Sequence, residues 1–150
     1  MILTDVNLLL NAYNRDFPDH AAARQWWERV INDQEAIGLA WVTVLGFIRI
    51  MTNPRAMLNP MPVADAIAAA KSWLDLPNVD LVEPGPRHAE ILFRLLRQVG
   101  VAGNFTTDAH LAALAMEHQA RVASTDTDFA RFAGLRWFNP LPKSASAPDR

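Results

Sequence analysis

Short β-type apolar runs alternate with segments of helical spacing along almost the whole of this 150-residue chain. That alternation confines the fold to α/β architectures, because parallel strands need a helical crossover and cover on both sheet faces. Strands are expected at residues 1–5, 36–39, 79–82, 121–124 and 135–138. Helices are expected at 6–14, about 20–32, 42–51, 63–74, 87–99 and 110–119, with a short one at 128–132. Ala22, Trp26 and Val30 share one helical face; Ile91, Leu92, Leu95, Leu96 and Val99 share another. Prolines mark 54–62 as a loop, and the glycines of 100–104 mark a second.

Four aspartates, Asp5, Asp108, Asp126 and Asp128, stand at the ends of these runs. Polar residues just past the carboxyl ends of parallel strands face one crevice. Carboxylates gathered there repel one another unless a divalent cation compensates, and an oxygen-rich site suits Mg²⁺ or Mn²⁺. Each aspartate also has a plainer reading as a helix cap or first-turn acid. Capping predicts scattered, independent sites; a functional site predicts convergence.

At 150 residues the chain reads as one domain with a sizeable core. Hydrophobic residues make up 51%, which excludes a disordered chain, yet no apolar run reaches the length of a membrane span. No signal peptide is read before the first strand. The absence of cysteine excludes disulfides, thiolate zinc sites and thiol nucleophiles, and permits a cytoplasmic location. The net charge of −2 does not mark a nucleic-acid binder by itself. Of the 14 cationic residues only Lys71 and Lys143 are lysines; arginine favours bidentate phosphate contacts, and a GC-rich genome gives the same bias.

Thr-Asp-Val-Asn at 4–7, Thr-Asp-Ala-His-Leu-Ala-Ala-Leu-Ala at 107–115 and Ser-Thr-Asp-Thr-Asp-Phe-Ala-Arg-Phe at 124–132 resemble PIN domains. The likeness is greatest to the VapC-type toxins of bacterial toxin–antitoxin pairs. Residues 45–54 and 134–140 resemble the same group, so the likeness spans 1–140 and leaves 141–150 as a tail. It implies a three-layer α/β/α domain with a central, mainly parallel five-stranded sheet. It implies an Mg²⁺- or Mn²⁺-dependent endoribonuclease, neutralised by a small VapB-type antitoxin and assembled as a homodimer. Carried over by position, Asp5, Asp108 and Asp126 would hold the metal, with Asp128 a nearby secondary carboxylate.

One position departs from the likeness: Gly46 stands where the family usually has a glutamate. Its plain reading is close packing; its functional reading is one carboxylate fewer and one water more, which Mg²⁺ tolerates. Asn7 is read as a hydrogen-bond partner of Asp5 or a surface residue, Thr125 as a water or phosphate holder or a strand-end residue. Asn104 is read as a substrate contact or a turn residue, and Arg49 as a phosphate contact or an ion-pair partner. His20, His88, His110 and His118 lack metal-ligand spacing; Trp26, Trp27 and residues 51–61 are read as core or as a partner surface. Two rival functions stand beside the nuclease. One is a weakened PIN module that binds RNA or antitoxin without cutting. The other is a phosphohydrolase acting on DNA or small phosphates; a covalent aspartyl-phosphate enzyme is disfavoured, since Asp5-Val6-Asn7 lacks a second aspartate.

Overall fold

Residue pairs such as Ile2 and Leu3, apolar and adjacent, mark strands buried on both faces, and the computed structural model builds its sheet from them. It describes residues 1–143, apart from the side chain of Asn104. The expected contact through Asn104 and most of the 141–150 tail lie outside the described residues; Leu141 is buried in the core. Strands β1 (Ile2–Thr4), β2 (Ile37–Leu39), β3 (Val79–Leu81), β4 (Arg121–Ala123) and β5 (Trp137–Phe138) form one sheet, ordered β3-β2-β1-β4-β5. All four pairings are parallel, with Leu3 opposite both Gly38 and Val122.

Six α-helices cover the sheet: α1 (Val6–Tyr13), α2 (His20–Asn32), α3 (Trp41–Met51), α4 (Val63–Leu74), α5 (His88–Val99) and α6 (Thr106–Glu117). Two 3-10 turns, Gly103–Phe105 and Thr127–Arg131, precede α6 and follow β4. Because side chains alternate along a strand, Ile2 joins the core made with α1 to α4, and Leu3 the core made with α5 and α6. The first core centres on aromatic rings: Phe47 and Trp73 meet edge-on at 4.7 Å, and Trp73 Nε1 donates to the Tyr13 hydroxyl at 2.8 Å. Trp26 and Trp27 are both buried there, so neither forms a partner surface; Met51 and Met57 are buried too.

The architecture is the three-layer α/β/α fold expected. Two boundaries differ by more than the usual fraying. Helix α6 begins at Thr106, not near residue 110, because the turn at Gly103–Phe105 runs straight into it and Thr106 Oγ1 donates to the Gly103 carbonyl at 2.9 Å. Strand β5 begins at Trp137 rather than 135, since Gly134 at φ +84° still belongs to a turn closed by Leu135 N and Phe132 O. The start of α5 has no side-chain cap of its own. Glu117 from α6 supplies it, accepting from the Gly85 and Arg87 amides at 2.8 Å each. Glycine at position 85 leaves room for this approach: a Cβ there would lie 2.6 Å from Glu117 Oε1, so the carboxylate would have to shift. Among the described residues no helix is long and apolar enough to cross a membrane.

Candidate active site

From β1 the chain builds outward through β2 and β3 on one side and later through β4 and β5 on the other. The order therefore reverses between β1 and β4, and the crevice of such a sheet opens past the carboxyl ends of those two strands. Asp5 follows β1 and Ser124 follows β4; the Asp5 amide donates to the Ala123 carbonyl at 3.0 Å, which locks the two ends side by side.

Asp5 is buried, only 8% exposed, and both of its carboxylate oxygens are engaged. Oδ1 accepts from the Val6 amide at 2.7 Å, and Oδ2 accepts from the Ser124 hydroxyl at 2.6 Å. The same hydroxyl oxygen accepts from Asn7 Nδ2 at 3.1 Å and from the Asp126 amide at 3.0 Å. Asn7 Oδ1 in turn accepts from the Thr125 amide at 3.4 Å. Ser124 is thus a fully buried hub joining the first aspartate to the segment that carries the third and fourth. Asp126 Oδ1 accepts from the Asp128 amide at 2.8 Å and caps the following turn.

Capping therefore describes Asp5 and Asp126 correctly, yet it does not scatter them. Asp108 is not a cap: it lies in the first turn of α6, whose N-cap is Phe105. There it lines one narrow cleft with Asp5, walled by Val6, Val42, Thr43, Thr107 and Leu111. Burial, and next the charges of Asp5, Asp126 and Asp128, push the Asp108 carboxyl up from 3.8 to about 6. Burial also raises Asp5, against the bonds from Ser124 and Val6 that favour its charged form, with Asp126 adding repulsion. The four acids act as one electrostatic unit.

The donor chemistry of this unit, hard oxygens carrying uncompensated negative charge, fits a divalent cation. Among the described residues no three acidic or imidazole groups close into a formed metal site, so the ligand set is convergent but open. Helix α3 brings no acid to the crevice. Gly46 faces α1, but a Cβ there would make only ordinary contact, 3.4 Å from Val6 Cγ2, so the close packing expected of it does not require glycine. The same helix offers Thr43, buried, whose hydroxyl donates to the Thr4 carbonyl at 3.4 Å.

The remaining candidates stand elsewhere. His110 turns to α5, with Nδ1 2.9 Å from His88 Nε2, and burial lowers both imidazoles. His20 meets the Asn11 carbonyl and His118 the Glu83 carbonyl. Arg49 is exposed and in no ion pair among the described residues. Sequence reasoning missed Ser124 as a site residue. Its signal was its place at the end of an apolar strand, where a polar side chain must find buried partners.

The chain matches the PIN domain over residues 2–135. It is 48% identical to ribonuclease VapC33 of Mycobacterium tuberculosis over 141 residues, covering 94% of this chain and 99% of that one. Ribonuclease VapC37 of the same species is 41% identical, with 93% and 97% covered. Among solved structures, VapBC2 of Rickettsia felis bound to a promoter DNA fragment superposes with a TM-score of 0.66 at 15% identity, covering 93% and 98%. M. tuberculosis VapC20, described as a sarcin-ricin loop cleaving toxin, gives 0.64 at 17%, covering 91% and 99%; these two show the fold. By sequence and fold together, the chain belongs to the PIN-domain family and, within it, to the VapC group.

Proposed function

We propose that this chain is a metal-dependent endoribonuclease, the toxin of a toxin–antitoxin pair, acting in the cytoplasm on RNA phosphodiester bonds. The observation that carries the reading is the convergence of Asp5 and Asp108 on one cleft, tied through Ser124 to Asp126 and Asp128, at the β1–β4 switch point. Near-full-length identity to proteins named as ribonucleases supports RNA as the substrate class. VapBC assemblies among the fold relatives support a VapB-type antitoxin as partner, and a homodimer as the assembled form rests on the family likeness alone.

In this reading Asp5, Asp108 and Asp126 hold Mg²⁺ or Mn²⁺, and Asp128 stands beside them. A divalent cation there supplies an acidified water and shields charge on the scissile phosphate. Ser124 fixes the Asp5 carboxylate through its 2.6 Å hydrogen bond and so decides which way that ligand faces. Asp126 is held from two sides, by its own amide on Ser124 and by its Oδ1 on the Asp128 amide. Asp108, at about 6 with no cation bound, is ionised near neutral pH and would then be able to serve as a ligand. No side chain has to form a covalent intermediate.

Gly46 and the open ligand set keep one alternative in view, a weakened module that binds RNA or antitoxin without cutting. The test is cleavage of a structured RNA pool by wild type and Asp5→Ala, with EDTA, Mg²⁺ or Mn²⁺. Metal-restored cutting by wild type alone supports the nuclease. Cutting that survives Asp5→Ala refutes the assignment of the site. Folded wild type that binds RNA but never cuts it favours the binding module.

A further inference from the structure

The four aspartates leave RNA with an electrostatic problem at the mouth of the crevice, and one arginine stands where it is met. Arg131 ends the 3-10 turn after β4, and its Nε lies 3.4 Å from Asp128 Oδ1. Among the described residues it is the one cationic side chain within ion-pair distance of any of the four acids. Its guanidinium lies over the ring of Phe105, with Cζ 5.0 Å from the centroid. Phe105 ends the Gly103–Phe105 3-10 turn and is the N-cap of α6, three residues before Asp108. The Arg131–Phe105 contact therefore bridges the two segments that bring Asp108 and Asp128 together.

A structural strut is a poor account of this pair. The side chains of Arg131 and Asp128 are 58% and 43% exposed, and ion pairs so open to solvent contribute little to stability. The terminal Nη groups donate to no protein acceptor among the described residues, so the fork is held by its face and left free at its edge. A stacked, weakly hydrated, planar cation with free donors suits a phosphate oxygen, and single-stranded RNA is bound by such arginine and aromatic platforms. We propose that Arg131, preorganised on Phe105, binds an RNA phosphate flanking the one that is cut. The proposal rests on the ribonuclease reading above and names a substrate-positioning residue for it.

The test is binding of a fluorescein-labelled single-stranded RNA pool by anisotropy across a salt series, with Ca²⁺ replacing Mg²⁺ and RNA integrity checked on a gel. Cleavage kinetics in Mg²⁺ accompany it, for wild type, Arg131→Gln, Arg131→Lys and Phe105→Leu. Loss of one phosphate contact should reduce the slope of log affinity against log salt by about 0.7 in Arg131→Gln. KM should rise about tenfold with kcat changed far less. Arg131→Lys and Phe105→Leu should keep the wild-type slope but bind more weakly, since charge remains while the fixed fork is lost. Wild type that cuts RNA while Arg131→Gln keeps the full slope overturns the inference and leaves the nuclease standing. So does an Arg131→Gln variant with unchanged RNA affinity and tighter metal binding, which would make Arg131 a counter-charge to Asp128 only. Wild type that neither binds nor cuts RNA overturns both readings.

Discussion

At the scale of single residues, the site turns on one hydroxyl. Ser124 Oγ donates to buried Asp5 and accepts from half-buried Asn7 and Asp126, and is itself fully out of solvent. Ser124→Ala should cost about 1–3 kcal/mol, because a buried carboxylate loses its donor, and thermal unfolding measures it. Its cleavage rate should fall well beyond what the stability loss explains. Asp108 behaves in the opposite sense. Its folded pKa of about 6 lies above the ordinary 3.8, so it favours folding while protonated, and that contribution is lost as pH rises through about 6. The full displacement corresponds to roughly 3 kcal/mol; with Asp108 only partly buried, screening by solvent leaves about 1 kcal/mol. Asp108→Asn, measured metal-free near pH 7, should therefore be more stable than wild type, and equal to it near pH 4. Divalent-ion affinity of wild type, followed by titration calorimetry, should drop as pH falls below about 6. Asp5 and Asp126 stood out as strand-end acids and Asp108 as an acid at a helix start, and the fold brings the three toward one crevice. Ser124 was not, because a serine beside two aspartates looks like ordinary turn chemistry.

At the scale of elements, the start of α5 depends on a neighbour. Two amides of the α5 start are satisfied by Glu117, near the end of α6, so these helices hold each other in register. Gly85→Ala should displace that carboxylate and cost about 1 kcal/mol, as loss of a helix cap does, with urea denaturation as the measure. Partial burial works against ionised Glu117, yet the Gly85 and Arg87 amides, with His118 and His88, prevail and lower its pKa. A carboxyl lowered on folding adds stability above its unfolded value of 4.5 and loses it as pH falls through the folded one. Wild type should thus lose this contribution in acid while Glu117→Gln does not. Most element positions followed from periodicity, and α4 was read to the residue. The start of α6 was not, because two threonines after a glycine-rich loop are weak helix formers and the side-chain bond that seeds the helix is not a pattern.

At the scale of the molecule, β1 carries both cores, Ile2 facing one and Leu3 the other. Phe47→Ala in the first core and Leu95→Ala in the second should each cost about 2–5 kcal/mol. Both should shift a single transition seen alike by tryptophan fluorescence and circular dichroism; separate transitions would mean the two layers fold independently. The α/β class was legible from alternation alone, whereas strand order was not, since local patterns do not say which strands pair. The bond from Ser124 to Asp5 closes over 119 positions of sequence. During synthesis, then, every strand on the β2–β3 side can be in place while Asp5, bonded only to the neighbouring Val6 amide, still lacks Ser124. Under the nuclease reading, an unfinished chain is harmless to the RNA of the ribosome that makes it, and acquires its activity only when β4 emerges to meet β1.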